Sequence, residues 1–407
     1  MKFEFIIANR IKSNRAGNSN DTPSLNVAII GMTLAIVIML LSVMIVEGFK
    51  NEITEKLYSL DSHIKIKSVE YNPKLNYSLK IDSTIISKIR ETNNIKDISV
   101  FVEKSVVLKT EKDFKGGYFK GVDKSYNWDY LSSNIIDGKI PDLTTTSNSI
   151  IISKTTADAL KIKVGEKIRA YFINDNIKVR NLIISGIYKT DIEDFDNNYI
   201  IGGIDIIRNV CGMSSNECSY IGINCCDKSL IDNTTLSMNN LVNSLHTTDN
   251  YYVTNTKILN STYFTWLHLL DMNVIIIIII MLIVTSFTLI AGMLMIVLEK
   301  VNMIGILKSL GATNNSISRI FIYVTNKLIL KSLIIGNTIV LIIAYLQNKY
   351  HLITLDAEAY YMSYVPIDIN WIHLFVLNIG IIIISYLTLL MPARIISTIH
   401  PSRSVKF

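Results

Sequence analysis

The sequence predicts an α-helical membrane protein with four transmembrane helices and a mixed α/β domain inserted between the first and second. Three observations carry this. Apolar residues gather into four runs almost free of charge, the charges crowd into the segments between them, and residues 48–271 alternate β-branched runs with glycine-marked breaks. Bulk composition is less decisive: 49% hydrophobic and 18% charged residues, with a mean hydropathy of +0.35, also suit a large soluble chain.

Crossing a bilayer core as a helix takes roughly 20 apolar residues. Residues 24–46 carry no charge, and neither do 274–298, which include an unbroken isoleucine run at 275–280. Residues 332–348 continue an apolar stretch from Ile320 broken only by Lys327 and Lys331, and 374–391 form the fourth run. Buried helices of a soluble protein are the alternative, disfavoured by the length of the runs and their missing charge. The first run follows a polar, basic leader and leads into Glu47-Gly48-Phe49-Lys50, with no small-residue cleavage site. It reads as an uncleaved anchor and not as a signal peptide. The expected layout is an amphipathic segment at 1–23, helices at 24–47, 272–298, 318–347 and 372–391, the α/β domain at 48–271, loops at 299–317 and 348–371, and a tail at 392–407.

Basic residues near span ends set orientation. Lys2, Arg10, Lys12 and Arg15 precede the first helix; Lys300, Lys308 and Arg319 mark the 299–319 loop; Arg394, Arg403 and Lys406 follow the last. Both termini and that loop are therefore expected in the cytoplasm, and the α/β domain outside. Lys327 and Lys331 share a helix face near the cytoplasmic end, where lysine can snorkel to the headgroups. Phe3, Ile6, Ile7 and Ile11 alternate with charges as an interfacial helix would.

In the outer domain, strands are expected at 64–69, 98–109, 150–153, 167–173 and 179–187, and helices at 83–92, 155–160 and 230–245. Gly117, Gly121, Gly138, Gly165, Gly186, Gly202 and Gly203 read as turn markers. No catalytic set, metal-ligand spacing or nucleic-acid signature emerges: His63 and His246 stand apart. The carboxylates Asp191, Glu193, Asp194 and Asp196 read as a solvated turn, since they lack the alternation and closing Glu of a calcium loop. Cys211, Cys218, Cys225 and Cys226 allow three disulfide connectivities, with Cys211–Cys218 preferred and free thiols equally open.

Between the second and third runs, Met303, Ile306, Leu307 and Leu310 follow the spacing of an amphipathic helix, and Gly311 is placed to end it. Such a stripe can rest on the membrane or dock into a groove on a soluble partner. No phosphate-binding loop Gly-x-x-x-x-Gly-Lys-Ser/Thr occurs, so the chain does not hold ATP by that route.

The run Met303-Ile304-Gly305-Ile306-Leu307-Lys308-Ser309-Leu310-Gly311-Ala312-Thr313 resembles the coupling-helix signature of FtsX-like, type VII ABC transporter permeases. More narrowly, the chain is similar over nearly its whole length to the LolC/LolE permeases of lipoprotein-releasing systems, in Bacteroidetes-type form. Glu47-Gly48-Phe49 resembles the family's exit from its first helix. Gly121-Val122-Asp123, Ile151-Ile152-Ser153, Leu160 to Gly165, and Gly186-Ile187-Tyr188 with Asp194-Phe195-Asp196 resemble its MacB-like periplasmic core. Pro392-Ala393-Arg394 and Ile399-His400-Pro401 resemble its close, and Tyr360-Tyr361 with Val365-Pro366 its Bacteroidetes-type members. Met303 departs from the pattern, because many members carry an acidic residue there, which puts the detailed pairing with a partner in doubt.

The resemblance implies a multi-pass subunit of the bacterial inner membrane that is not itself an enzyme. It implies cytosolic ABC ATPase subunits that hold ATP and Mg, a second permease copy or paralogue, and lipoprotein cargo. Residues 303–312 would meet the ATPase. By analogy, Met39, Val43, Met44, Val46 and Phe49 would line a lipid cavity, although ordinary packing explains them equally. The competing readings are FtsX-type activation of cell-wall hydrolases and a membrane receptor with no transport role.

Overall fold

The computed structural model describes residues 23–68, 79–80, 83–144, 147–173, 177–244 and 251–395. The expected N-terminal amphipathic segment, up to residue 22, and the tail beyond 395 lie outside them. Two compact units divide the chain. One comprises residues up to 51, 266–354 and 364 onward; the other comprises 52–265 with Leu355–Ser363.

Among the described residues, four helices are long and apolar enough to cross a membrane: Pro23–Leu60, Ser261–Glu299, Asn314–Tyr350 and Trp371–Ile395. The first outlasts its uncharged run because Ile53, Leu57 and Leu60 continue a helical spacing and are buried. Capping sets other ends. Thr313 accepts a hydrogen bond from the Ser316 N–H at the start of the third helix, and His351 closes it at a positive φ of 48°.

In the helical unit the first helix is central. Met32, Ile36, Met39 and Leu40 are at most 1% exposed and pack with Leu289 and Met293 of the second helix, Phe321 and Val340 of the third and Ile381 of the fourth. Small residues permit the approach: a Cβ on Gly336 would lie 2.9 Å from the Ile36 side chain, and one on Gly292 3.0 Å from Ala28.

The α/β unit is built on β1 (Ile64–Ser68), β2 (Leu79–Lys80), β3 (Ile95–Lys109), β4 (Phe114–Val122), β5 (Ile135–Gly138) and β6 (Ser149–Ser153). It continues with β7 (Lys167–Ile173), β8 (Ile177–Tyr188), β9 (Tyr199–Gly203), β10 (Glu217–Cys218), β11 (Tyr220–Cys225) and β12 (Tyr251–Asn255). The main sheet runs β12-β1-β11-β3-β4-β9-β6-β8-β5, and β7 bridges β3 and β8. Strands β3, β4, β9, β6, β8 and β7 therefore close into a ring. The pairings β4–β9 and β6–β8 are parallel and the other strand pairings antiparallel. The long β3 makes the geometry possible: its first half pairs with β11 and its last residues with β7 along one edge, while β4 takes the other. Phe119, Ile152, Phe172 and Leu182 fill the interior.

The glycine reading needs correction. Gly117 and Gly121 lie within β4, Gly186 within β8, and Gly202 and Gly203 within β9. They mark close approaches of neighbours: a Cβ on Gly117 would sit 2.6 Å from the Asn198 carbonyl oxygen. Gly138 and Gly165, with φ of +81° and +90°, are the true conformational glycines of that set.

Candidate functional site

The segment expected to meet a partner forms a helix at Val301–Ser309. It stops where Gly311 takes a φ of +89° and the Ala312 N–H returns to the Leu307 carbonyl at 2.9 Å. Its apolar stripe divides. Ile304 is fully buried, and Met303, Leu307 and Ala312 pack partly against the helical core. Ile306 and Leu310 are 55% and 79% exposed. With Asn302 and Ser309, also exposed, they make one outward face at the i, i+4, i+7, i+8 spacing. One half of the stripe thus anchors the helix, and the other half is presented.

At the far end of the helical unit, one turn of the first helix reaches three elements. Lys50 Nζ meets Asp271 of the second helix at 2.9 Å, Asn51 Nδ2 donates to Asp368 at 2.5 Å, and Glu47 lies 3.6 Å from His373 of the fourth helix. The Asp368 N–H also donates to the Met44 carbonyl at 3.1 Å. Gly48 lets this happen, since a Cβ there would lie 2.5 Å from the Pro366 carbonyl oxygen.

The residues proposed to line a lipid cavity are placed differently from that expectation. Met39 and Met44 are buried in the packing of the helical unit, and Val46 and Phe49 are half-buried. Val43 and Met44 border a cavity of only about 10 Å³, shared with Leu40, Glu47 and His373, space for little more than one water. A larger apolar space, about 390 Å³, lies along the second helix at Ile279, Leu282, Ile283, Ser286, Phe287 and Ile290, with Ile384 of the fourth.

In the α/β unit, a charged cluster gathers at the end of the first long helix. Lys120 is 1% exposed; its Nζ donates to the Leu60 carbonyl at 3.1 Å and lies 3.3 Å from Asp61. That caps the helix C-terminus with a cation, as its dipole favours. Phe101 adds an aromatic face 4.9 Å from the same nitrogen. Lys65 also pairs with Asp61. Burial acts against the Asp61 carboxylate, but Lys120 and Lys65 outweigh it and hold its pKa down at about 2. The sequence reading missed Lys120, which lies between Phe119 and Gly121 in the buried half of β4.

Only part of the acidic run is solvated as expected: Glu193 and Asp194 are exposed, whereas Asp196 is not. Glu193–Asn198 is a short helix, and Asp196 is buried, accepting from the Thr190 N–H and hydroxyl and from the Asp191 N–H. Burial raises its pKa, opposed by the Thr190 and Asp191 hydrogen bonds. Among the described residues, no group of His, Cys, Asp or Glu is arranged to hold a metal. The preferred Cys211–Cys218 bridge is not formed either, and none of the four cysteines is in a disulfide. Cys218 is buried against the Leu79 carbonyl at 3.7 Å, and burial lifts its pKa to about 12, partly offset by Arg208.

Two family models match parts of the chain. Residues 275–401 match the family model for the FtsX-like permease C-terminal region, and residues 27–210 that for the MacB-like periplasmic core domain. The chain is 21% identical over 401 residues to the lipoprotein-releasing system transmembrane protein LolC of Neisseria meningitidis serogroup B, covering 94% of this chain and 93% of that protein. It is 20% identical over 422 residues to the corresponding LolE protein of Haemophilus influenzae, covering 99% of each. Among solved structures, the periplasmic region of MacB from Actinobacillus actinomycetemcomitans aligns over 50% of this chain and 92% of that one, at 10% identity and a TM-score of 0.35.

Proposed function

We infer that this chain, which carries an FtsX-like permease C-terminal region and a MacB-like periplasmic core domain, is the membrane subunit of a type VII ABC transporter that extracts lipoproteins from the inner membrane. The observation that carries this reading is the alignment with LolC and LolE over nearly the full length of both partners. The outward Ile306–Leu310 face of the Val301–Ser309 helix supports it, because an apolar face on a polar loop suits docking on a soluble subunit.

In this reading both termini and the 299–317 loop face the cytoplasm, and the α/β domain, inserted between the first and second helices, faces the periplasm. ATP and Mg belong to a separate ATPase, whose closure would push on the Val301–Ser309 helix. A second permease copy or paralogue would complete the membrane part. Withdrawing a lipid anchor exposes acyl chain to water at about 0.8 kcal/mol per CH2, so extraction needs both an energy source and an apolar receiving surface. The space along Ile279–Ile290 is the candidate for that surface.

The test is depletion of the protein in its native bacterium, followed by fractionation of membrane lipoproteins. Retention of outer-membrane lipoproteins in the inner membrane is expected. Normal sorting with chained, undivided cells would favour FtsX-type control of cell-wall hydrolases instead.

A further inference from the structure

We propose that Lys56 is the positioning residue of a latch that holds the Leu355–Ser363 segment, which joins the third and fourth long helices, on the α/β unit. Lys56 is buried, and its Nζ donates to the Tyr361 carbonyl at 2.9 Å and to the Thr190 carbonyl at 3.4 Å. One ammonium thereby ties the first long helix to two segments far away in sequence. A second contact reinforces it. The Tyr361 ring sits edge-on to Tyr263 of the second long helix, centroids 5.3 Å apart, and the Tyr263 hydroxyl donates to Asp194 at 2.8 Å. The segment also closes on itself, with the Leu355 N–H on the Ser363 carbonyl at 2.9 Å and Met362 buried.

The backbone on both sides of the ammonium is held in a conformation that side chains disfavour. Tyr361 has a φ of 60° and Asp191, directly after Thr190, a φ of 62°. Non-glycine residues persist there only where their surroundings over-determine them, as at switch regions. On one side Asp196 supplies that constraint by accepting from Thr190 and Asp191. On the other side the Lys56 ammonium supplies it, by holding the Tyr361 carbonyl. Removing the ammonium takes a donor from the buried Thr190 carbonyl and from the part-buried Tyr361 carbonyl, and frees Tyr361 to leave the left-handed region.

Within the α/β unit the latch thus joins three stretches of chain: Lys56 from the end of the first long helix, Tyr263 from the start of the second, and the segment that lies in sequence between the third and the fourth. It goes beyond the transport reading and does not depend on it, because its test needs no partner or cargo.

Hydrogen exchange on the full-length chain in lipid nanodiscs, comparing wild type with Lys56→Met and Lys56→Arg, decides the matter. Lys56→Met should speed exchange within Leu355–Ser363 about tenfold, with β3 and β4 unchanged, and Lys56→Arg should restore part of the protection. Unchanged protection of the segment in Lys56→Met, or equal acceleration throughout β3 and β4, would overturn the proposal. Should Lys56→Met fail to fold, Tyr263→Leu removes the ring contact and the hydrogen bond to Asp194 while leaving the ammonium in place, and should loosen the same segment selectively; no loosening would overturn it.

Discussion

Asn337 and Asn378 exchange a reciprocal pair of hydrogen bonds between the third and fourth long helices, at 2.9 and 3.0 Å. Each amide also donates to the carbonyl four residues earlier in its own helix, Leu333 and Leu374, at 2.8 Å. Among apolar neighbours the alternative to this pair is an unsatisfied amide, so the two side chains fix the register of the helices. Asn337→Leu should therefore destabilise the protein by about 1–3 kcal/mol, because the Asn378 side-chain oxygen loses its donor. The double variant Asn337→Leu/Asn378→Leu should recover most of that loss. Thermal unfolding of the four species in detergent measures it; additive losses would show that the amides act independently.

Gly48 predicts a steric effect at the other end of the helical unit. In Gly48→Ala the new methyl must displace the backbone at Pro366, 2.5 Å away, and with it the Asn51–Asp368 hydrogen bond. A loss of roughly 1–3 kcal/mol is expected, read as a lower melting temperature. Ala at Gly116, where nothing lies within 4 Å, is the control and should be neutral.

Asp61 predicts an acid limb. Its folded pKa, about 2, lies below the ordinary value of 3.8. Its contribution is therefore complete above pH 4 and is lost as the pH falls towards 2, amounting to about 2 kcal/mol. Asp196 is shifted upward and works in the opposite direction. The expected signature is thus a difference: Asp61→Asn should be less stable than wild type at pH 6, and the gap should narrow between pH 4 and pH 2. A constant gap across that window would contradict it.

Much of this was legible in sequence for plain physical reasons. An uncharged run long enough to span a bilayer admits few alternatives, and the β-branched runs that became β1, β3, β7 and β8 carry their own propensity. What escaped depended on contacts distant in the chain. Strand β4 hid behind Gly117 and Gly121, which suggest turns until the crowding from Asn198 and Ile204 is known. Asp196 looked solvated because its partners, the Thr190 N–H and hydroxyl and the Asp191 N–H, converge on it only once the chain has turned. Periodicity put Met303, Ile306, Leu307 and Leu310 on one stripe but could not say which half the membrane helices would claim. Ile304, absent from that stripe, is the residue buried completely.

That division of the stripe gives the most direct test of the central proposal, that a separate ATPase acts on this chain through the Val301–Ser309 helix. The measurement is co-purification of an ATPase subunit with the tagged full-length protein, comparing wild type with Ile306→Asp/Leu310→Asp. Both changes lie on the exposed face, so the melting temperature should hold while the ATPase is lost. Ile304→Asp, in the buried half, should instead destabilise the protein itself. An Ile306→Asp/Leu310→Asp variant that keeps its ATPase at wild-type yield would contradict the account.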